Sequence, residues 1–171
     1  MGYNFEIQSS RIIIKDSSLS ALFGKMKEVM SDEMMSRFAI PDNYSSRNHN
    51  LTYHYSWVDT FKARNAAKNR DLIGFFAEWG YDLITDDEDL ELESKSRHYN
   101  LNLREGSSKI GDEDILFSSI APCIENGSFI ECRGEDGECW RWHWHDGKFF
   151  NQTAISVLYG NASEVVLTPR Q

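Results

Sequence analysis

The chain has 171 residues, of which 40% are hydrophobic and 13% aromatic, and its formal net charge is −9. This length fits one domain with a sizeable buried core, and the composition excludes a disordered chain. No segment approaches the roughly 18 apolar residues of a membrane span, and the first residues lack the basic start and apolar core of a secretion signal. We therefore expect a single cytoplasmic domain over residues 1–171.

The first part of the chain predicts a strand followed by a helix. Residues 3–15 alternate and contain several isoleucines, which favours a strand or a hairpin. Asp16 or Ser17 then caps a helix with apolar residues at helical spacing, and this helix ends by Pro41 at the latest. Residues 42–50 form a polar loop that is long enough to be functional or disordered.

The middle of the chain predicts short strands and two further helices. Residues 51–58 resemble a strand, and a helix over about residues 69–79 ends at Gly80, a residue suited to a left-handed cap. A third helix covers residues 111–120, where its acidic first turn is favourable for the helix dipole. Between these helices, short strands are expected at residues 81–84, 90–92 and 99–103. This order of elements predicts an α+β fold, with about three helices on one face of a largely antiparallel sheet.

Residues 128–157 predict two successive β-hairpins and hence a C-terminal three-stranded meander. Residues 134–137 read GEDG and residues 146–147 read DG, and both are strong turn signals. Pairing outward from the turns sets the register of the strands. The expected partners are Cys132 with Cys139, Arg133 with Glu138, Phe129 with Trp142, Trp144 with Phe149, and His143 with Phe150.

Alternation along these strands gives the meander two different faces. One face is apolar and carries Phe129, Trp140, Trp142, Trp144, Phe149, Ile155 and Val157. The other face carries Cys132, Cys139, Arg141, His143 and His145. We interpret the tryptophan face as core packed under helices, because a platform for stacking bases is normally accompanied by Lys and Arg, and the neighbouring sequence is acidic.

Acidic residues are concentrated in two stretches. Residues 71–93 contain nine acids and no Lys or Arg, and residues 112–138 contain eight acids and a single Arg. A solvated surface is one explanation, and a surface that binds a basic partner by imitating the charge of nucleic acid is the other. Under the second explanation, the partner-binding residues are Asp86, Asp87, Glu88, Asp89, Glu91, Glu135 and Asp136. Direct nucleic-acid binding through Lys62, Arg64, Lys68 and Arg70 is disfavoured by the overall charge.

The sequence predicts no catalytic residues, no cofactor and no metal site. It has neither a nucleophile motif of the G-x-S-x-G type nor a glycine-rich phosphate loop. Cys139 and His143 lie about 13 Å apart along one strand, too far to share a zinc ion. The three cysteines, without a secretion signal, favour free thiols.

An alternative function uses the polar face of the meander. Glu131 or Glu135 next to His143 or His145 could perform acid–base chemistry. A small enzyme or a ligand-binding domain that uses Arg141, His143 and His145 is therefore the alternative to a binding protein.

The last third of the chain resembles a C-terminal module of small uncharacterised proteins from phages and bacteria. The residues that carry the resemblance are Lys109-Ile110-Gly111-Asp112, Leu116-Phe117, Ala121-Pro122, Gly127-Ser128 and Gly134-Glu135-Asp136-Gly137 through Trp140-Arg141-Trp142. The resemblance implies a mobile-element setting, in which small acidic chains often inhibit host defence, anti-CRISPR proteins among them. We expect an acidic, non-enzymatic intracellular protein that inhibits a host nucleic-acid-handling complex. Its partner would be a basic protein or a nucleoprotein complex, without direct contact to nucleic acid or membrane.

Overall fold

The computed structural model describes residues 3–41, 53–85, 96–106 and 111–154, with backbone alone at residues 40 and 41. Several predicted structural features lie outside the described residues. These are the loop at 42–50, the strand at 90–92, and the positions of Ile155 and Val157 on the tryptophan face.

The described residues contain a six-stranded sheet, a separate two-stranded pair and five α-helices. The strands are β1 (Phe5–Lys15), β2 (Ile40–Pro41), β3 (Tyr53–His54), β4 (Tyr81–Thr85), β5 (Ser96–Leu103), β6 (Phe129–Gly134), β7 (Cys139–His145) and β8 (Lys148–Thr153). The helices are α1 (Leu19–Val29), α2 (Asp32–Phe38), α3 (Thr60–Asn69), α4 (Leu72–Glu78) and α5 (Glu113–Ile120). The large sheet has the order β4-β5-β1-β6-β7-β8, and all neighbouring strands are antiparallel. The α+β prediction and the C-terminal meander are confirmed.

The helices differ from the prediction in number. The helix expected to end by Pro41 is divided into α1 and α2 at Ser31, whose extended backbone and side-chain hydrogen bond from the Met34 N–H cap a new helix. Helix α3 was not predicted. Its buried positions include Ala63 and Ala67, and alanine gives a weak hydrophobic signal although it is a strong helix former.

The bounds of two elements in the middle of the chain also differ from the prediction. Within the described part of the strand expected at residues 51–58, only Tyr53–His54 forms a strand, because the chain turns at Trp57 with a positive φ of 64°. The helix expected at 69–79 begins at Leu72, where the Asp71 side chain accepts from the Gly74 N–H at 2.8 Å. Its predicted end is confirmed by Gly80, which has a φ of 89°.

The long strand β1 holds the two halves of the sheet together. Its first part, from Phe5 to Arg11, pairs with β6, and its last part, from Ile12 to Lys15, pairs with β5. The buried side chains of the sheet lie on the face that the helices cover. We call the opposite, uncovered face of the sheet the open face.

The three tryptophans of β7 belong to the buried core, as predicted. Trp140, Trp142 and Trp144 are 9%, 5% and 1% exposed. The ring centroids of Trp142 and Trp144 each lie 5.4 Å from that of Phe117 in α5, and the Trp144 Nε1–H donates to the Phe117 carbonyl at 3.2 Å. Since a buried aromatic side chain removes a large apolar area from water, these contacts fix α5 on the sheet.

The predicted register is wrong by one residue in the first hairpin and right in the second. The Gly134 N–H donates to the Glu138 carbonyl at 2.8 Å, and Gly137 has a φ of 86°, so the loop holds three residues rather than four. Cys132 therefore pairs with Trp140, and Phe129 pairs with His143. A slip of one residue exchanges faces. Cys132 is consequently in the core, and Phe129 is on the open face.

The second hairpin has the expected type of turn. Asp146 and Gly147 have φ values of 50° and 68°, which a type I′ turn requires at both of its central positions. His143 pairs with Phe150, and Trp144 pairs with Phe149, as predicted.

Candidate functional site

A pocket of about 490 Å³ lies where the start of α5 meets β7 and β8. Trp144 pairs with the aromatic Phe149, whereas Trp142 and Trp140 pair with Asn151 and Thr153. These smaller polar partners leave space above the two tryptophans. We call this cavity the acidic pocket, and its defining residues are Glu113, Asp114, Glu138, Trp140 and Trp142. Among the described residues, no Lys, Arg or His lines it.

Glu113 is the most deeply buried acid of the acidic pocket, with only 7% of its surface exposed. Its Oε2 accepts a hydrogen bond from the Gly111 N–H at 2.6 Å. Burial raises the pKa of Glu113, and this effect outweighs the hydrogen bonds that would lower it. The described residues therefore supply this carboxylate with a backbone donor but with no cationic side chain.

Two more ionisable groups lie buried next to Glu113. The Tyr81 hydroxyl is buried without a hydrogen bond of ordinary geometry, and its pKa is raised by burial and then by the charge of Glu113. The pKa of the Cys132 thiol is also raised, first by burial and then by Glu113. Both groups are neutral near pH 7, so Glu113 is the only one of these three groups that can carry a negative charge there.

The turn after β6 contains the predicted residues Glu135 and Asp136 and leads to Glu138 of the acidic pocket, so we call it the rim. Glu135 itself lines a separate depression with Asn4 and Arg133. Asp136 accepts hydrogen bonds from the Tyr3 hydroxyl and from the Glu138 N–H, and the first of these is the main reason that its pKa is lowered. The same bond raises the pKa of Tyr3 to about 12. Glu135 accepts from the Asn4 side chain at 2.7 Å. The N-terminal residues thus hold this acidic turn in place.

Other acids of the two predicted stretches have structural partners. Asp71 caps α4, and Asp112 accepts from the Ser56 N–H at 2.7 Å. Glu131 lies on the open face, where it is paired with Arg141. Five of the predicted partner-binding residues lie outside the described residues: Asp86, Asp87, Glu88, Asp89 and Glu91.

The open face brings together the alternative site residues Arg141, His143 and His145. One row of direct cross-strand neighbours runs through four strands, from Arg11 through Phe129 and His143 to Phe150. The rings of His143 and Phe150 are stacked, with centroids 5.2 Å apart and planes inclined by 16°. A depression of about 510 Å³ lies over this part of the face.

Arg141 belongs to the adjacent row of cross-strand neighbours, next to Glu131, and contacts Phe129 of the first row. Its guanidinium carbon lies 5.5 Å from the centroid of the Phe129 ring, within the range of a cation–π contact. The Nε and Nη2 groups donate to Glu131 Oε1, and the other Glu131 oxygen accepts from the Ser9 hydroxyl at 2.6 Å. Hydrogen bonding from Ser9, which has the larger effect, and from Arg141 lowers the pKa of Glu131.

The described strands of the open face carry more basic than acidic side chains. From the strand register, their outward-facing Lys and Arg side chains are Arg11, Lys15, Arg133, Arg141 and Lys148. The outward-facing acids of the same strands are Glu6, Asp82 and Glu131. Lys15 is also paired with Glu125, which lies outside the strands, at 2.8 Å.

The basic residues around α3 do not form a common surface. Lys62 pairs with Asp59 of its own helix at 3.1 Å. Arg64 points to α2, where it binds the Asp32 carboxylate and contacts the Met35 sulfur. Arg70 occupies the left-handed cap of α3. The structure thus gives no support to nucleic-acid binding at these positions.

Sequence reasoning missed two components of these sites. From the sequence, Glu113 is related only to the helix dipole, although three consecutive acids lie at the start of α5 and a helix needs one or two there. Phe129 was assigned to the core, because the loop after β6 was counted one residue too long. A glycine at residue 137, which suits the left-handed position of a three-residue loop, was the signal that could have corrected it.

Within residues 3–41, 53–85, 96–106 and 111–154, no three His, Cys, Asp or Glu side chains are arranged to hold a metal ion. None of the helices in these ranges is long and apolar enough to cross a membrane. Comparison of the chain with known protein families, with characterised proteins and with solved structures finds no match.

Proposed function

We propose that the protein is an acidic binding protein that engages a basic partner through the acidic pocket and its rim. The observation that carries this proposal is the buried carboxylate of Glu113, which lines the pocket beside Asp114 and Glu138 without a described cationic partner. A Lys or Arg side chain of the partner would provide the missing charge.

The chemistry of the pocket favours a cation over a neutral group. A buried carboxylate destabilises a fold unless it is paired, so a cation that enters the pocket removes part of that destabilisation. Trp140 and Trp142 add aromatic walls, which attract ammonium and guanidinium groups. Because the site is partly removed from water, each of these attractions is stronger than on an open surface.

The rim extends the same charge toward a larger partner. Glu135 and Asp136 are held by Asn4 and Tyr3, so a basic surface meets them in a fixed position. Fixed charges contribute to specificity and to the rate of association. In the mobile-element setting implied by the C-terminal module, this partner is a host nucleic-acid-handling or defence complex, which the protein inhibits by occupying its basic groove.

A lysine-rich hexapeptide tests the pocket directly. We expect it to change the tryptophan fluorescence of the full chain, whereas a glutamate-rich hexapeptide does not. Glu113→Gln and Glu138→Gln should each weaken the binding about tenfold, since each removes a charge from a partly buried site.

The matched control is Asp82→Asn, which removes the same charge from β4 at the opposite edge of the sheet. It should leave the affinity for the lysine-rich peptide unchanged. Equal weakening by all three variants would show that only the net charge matters, and the proposal for the pocket would be wrong.

A further inference from the structure

The open face has features that the proposed function does not use. Phe150 is 40% exposed, although it is a large apolar residue. It lies at the end of the row that starts at Arg11 and passes through Phe129 and His143. With strands about 4.8 Å apart, this row is about 14 Å long. The row therefore contains one positive charge, on Arg11, and three aromatic rings, those of Phe129, His143 and Phe150.

Positive charge continues on both sides of this row. Arg141 lies over the Phe129 ring, and Lys148 and Arg133 face the same way from the neighbouring strands. Glu131 engages only the Nε and Nη2 donors of Arg141. A guanidinium has five N–H groups, so the two on Nη1 are not used by this ion pair.

We propose that the open face binds single-stranded nucleic acid, with a base stacked on Phe150 and phosphates held by Arg11 and Arg141. Stacking on aromatic side chains beside Lys and Arg is the usual means by which proteins hold unpaired bases. A double helix keeps its bases stacked inside, so it cannot use the rings. The acids of the acidic pocket lie on the other side of the sheet, and their charge is largely screened beyond about 8–10 Å at physiological salt.

This site is independent of the acidic pocket. The two surfaces lie on opposite faces of the same sheet, and they select ligands of opposite charge. A nucleoprotein complex presents both a basic protein surface and single strands, so one partner could occupy both sites.

Fluorescence anisotropy with a labelled single-stranded dodecamer tests the proposal on the full chain. We expect binding to single-stranded RNA or DNA that weakens with salt, with a slope of about −1.4 in log K against log salt for the two phosphate contacts. Phe150→Ala should reduce the affinity at least about fivefold, the lower limit for one stacked base. Arg141→Gln should reduce both the affinity and the salt slope.

The controls separate this site from general charge effects. Lys25→Gln removes the same charge from α1 on the covered side and should leave binding unchanged. Melting curves should show that Phe150→Ala keeps its fold, since exposed substitutions usually change stability by less than about 0.5 kcal/mol.

Four results would overturn the proposal. They are no binding of any single strand to the native chain, equal binding of duplex and single strand, equal binding of a mononucleotide and the dodecamer, and binding unaffected by Phe150→Ala and Arg141→Gln. Weakening by Glu113→Gln to the same extent would also contradict it, because that residue lies on the other side of the sheet. Failure of this test leaves the peptide experiment on the acidic pocket unaffected.

Discussion

Strands β7 and β8 contribute to both the acidic pocket and the open face, yet the two sites hold charge in different ways. In the pocket, Glu113 is buried and lacks a described cationic partner. On the open face, Arg141 is half exposed and already paired with Glu131. A buried unpaired charge is unfavourable for folding, whereas an exposed pair has little effect on it. We therefore expect the charge of Glu113 to lower the stability of the fold, and the pair of Arg141 and Glu131 to have little effect on it.

The largest difference between the two sides is in packing. Trp142→Ala should lower the free energy of unfolding by about 3–5 kcal/mol, because it creates a cavity among Phe5, Phe117 and Trp140. Phe150→Ala on the open face should lower it by less than about 0.5 kcal/mol. Urea unfolding of both variants measures the difference. Similar losses would mean that the open face is covered by other parts of the chain and is not a binding surface.

The division between these sides could be predicted from the sequence only in part. Alternation along β7 is enough to put its three tryptophans in the core, because the period of a strand is two residues. The position of Phe129 depends on the length of the preceding loop, where one residue reverses the face. The pocket could not be predicted, since it depends on how much of the sheet is left uncovered at the start of α5. The position of α5 on the sheet is a property of tertiary packing, to which Trp144 and Phe117 contribute.

The second prediction concerns the stability that the fold loses when the buried Glu113 ionises. Its folded-state pKa is raised, so its contribution to stability is fully present below the unfolded pKa of about 4.3 and is lost as the pH rises through the folded-state value. Glu113→Gln keeps an oxygen that can accept from Gly111 and removes the charge. We expect the variant to become more stable than the native chain as the pH increases from about 4 toward neutrality.

Thermal unfolding across this pH range measures the stability gained by Glu113→Gln. In the hexapeptide experiment we expect the same variant to bind the lysine-rich peptide less tightly. A variant that is more stable but binds the lysine-rich peptide less tightly is the signature of a binding site. A variant that is less stable at every pH would show that the carboxylate has a structural role in the native chain, and the pocket would lose its assignment.

The third prediction applies the same change to the open face. Glu131 has a lowered pKa, so its contribution to stability is present above the unfolded pKa and is lost as the pH falls through the folded-state value. Glu131→Gln should therefore be slightly destabilising near neutral pH, by about 0.2–1 kcal/mol for an exposed pair. It should also strengthen binding of the single-stranded dodecamer by up to about fivefold, because it releases Arg141. Weaker dodecamer binding would show that Glu131 is needed to orient Arg141.

The smallest expected effect on stability belongs to the acidic residues beyond β4. Reversing the charge of Asp86, Asp87 and Asp89 to Lys should change the free energy of unfolding by less than about 0.5 kcal/mol if these residues are a solvated surface. Their role as partner-binding residues stays a prediction. If they attract a basic partner at long range, the reversal should slow association of the lysine-rich peptide and leave its dissociation rate unchanged, since steering acts before contact.

Stopped-flow fluorescence separates this long-range role from that of the pocket. Glu113→Gln removes a group that touches the bound cation, so its effect should lie mainly in the dissociation rate. The effect of the triple reversal should disappear at about 1 M salt, where the Debye length falls to about 3 Å, while the effect of Glu113→Gln should persist because burial limits screening. If the triple reversal instead accelerates dissociation at every salt concentration, these residues contact the cation directly. The acidic pocket would then be only one part of a larger binding surface that includes the chain beyond β4.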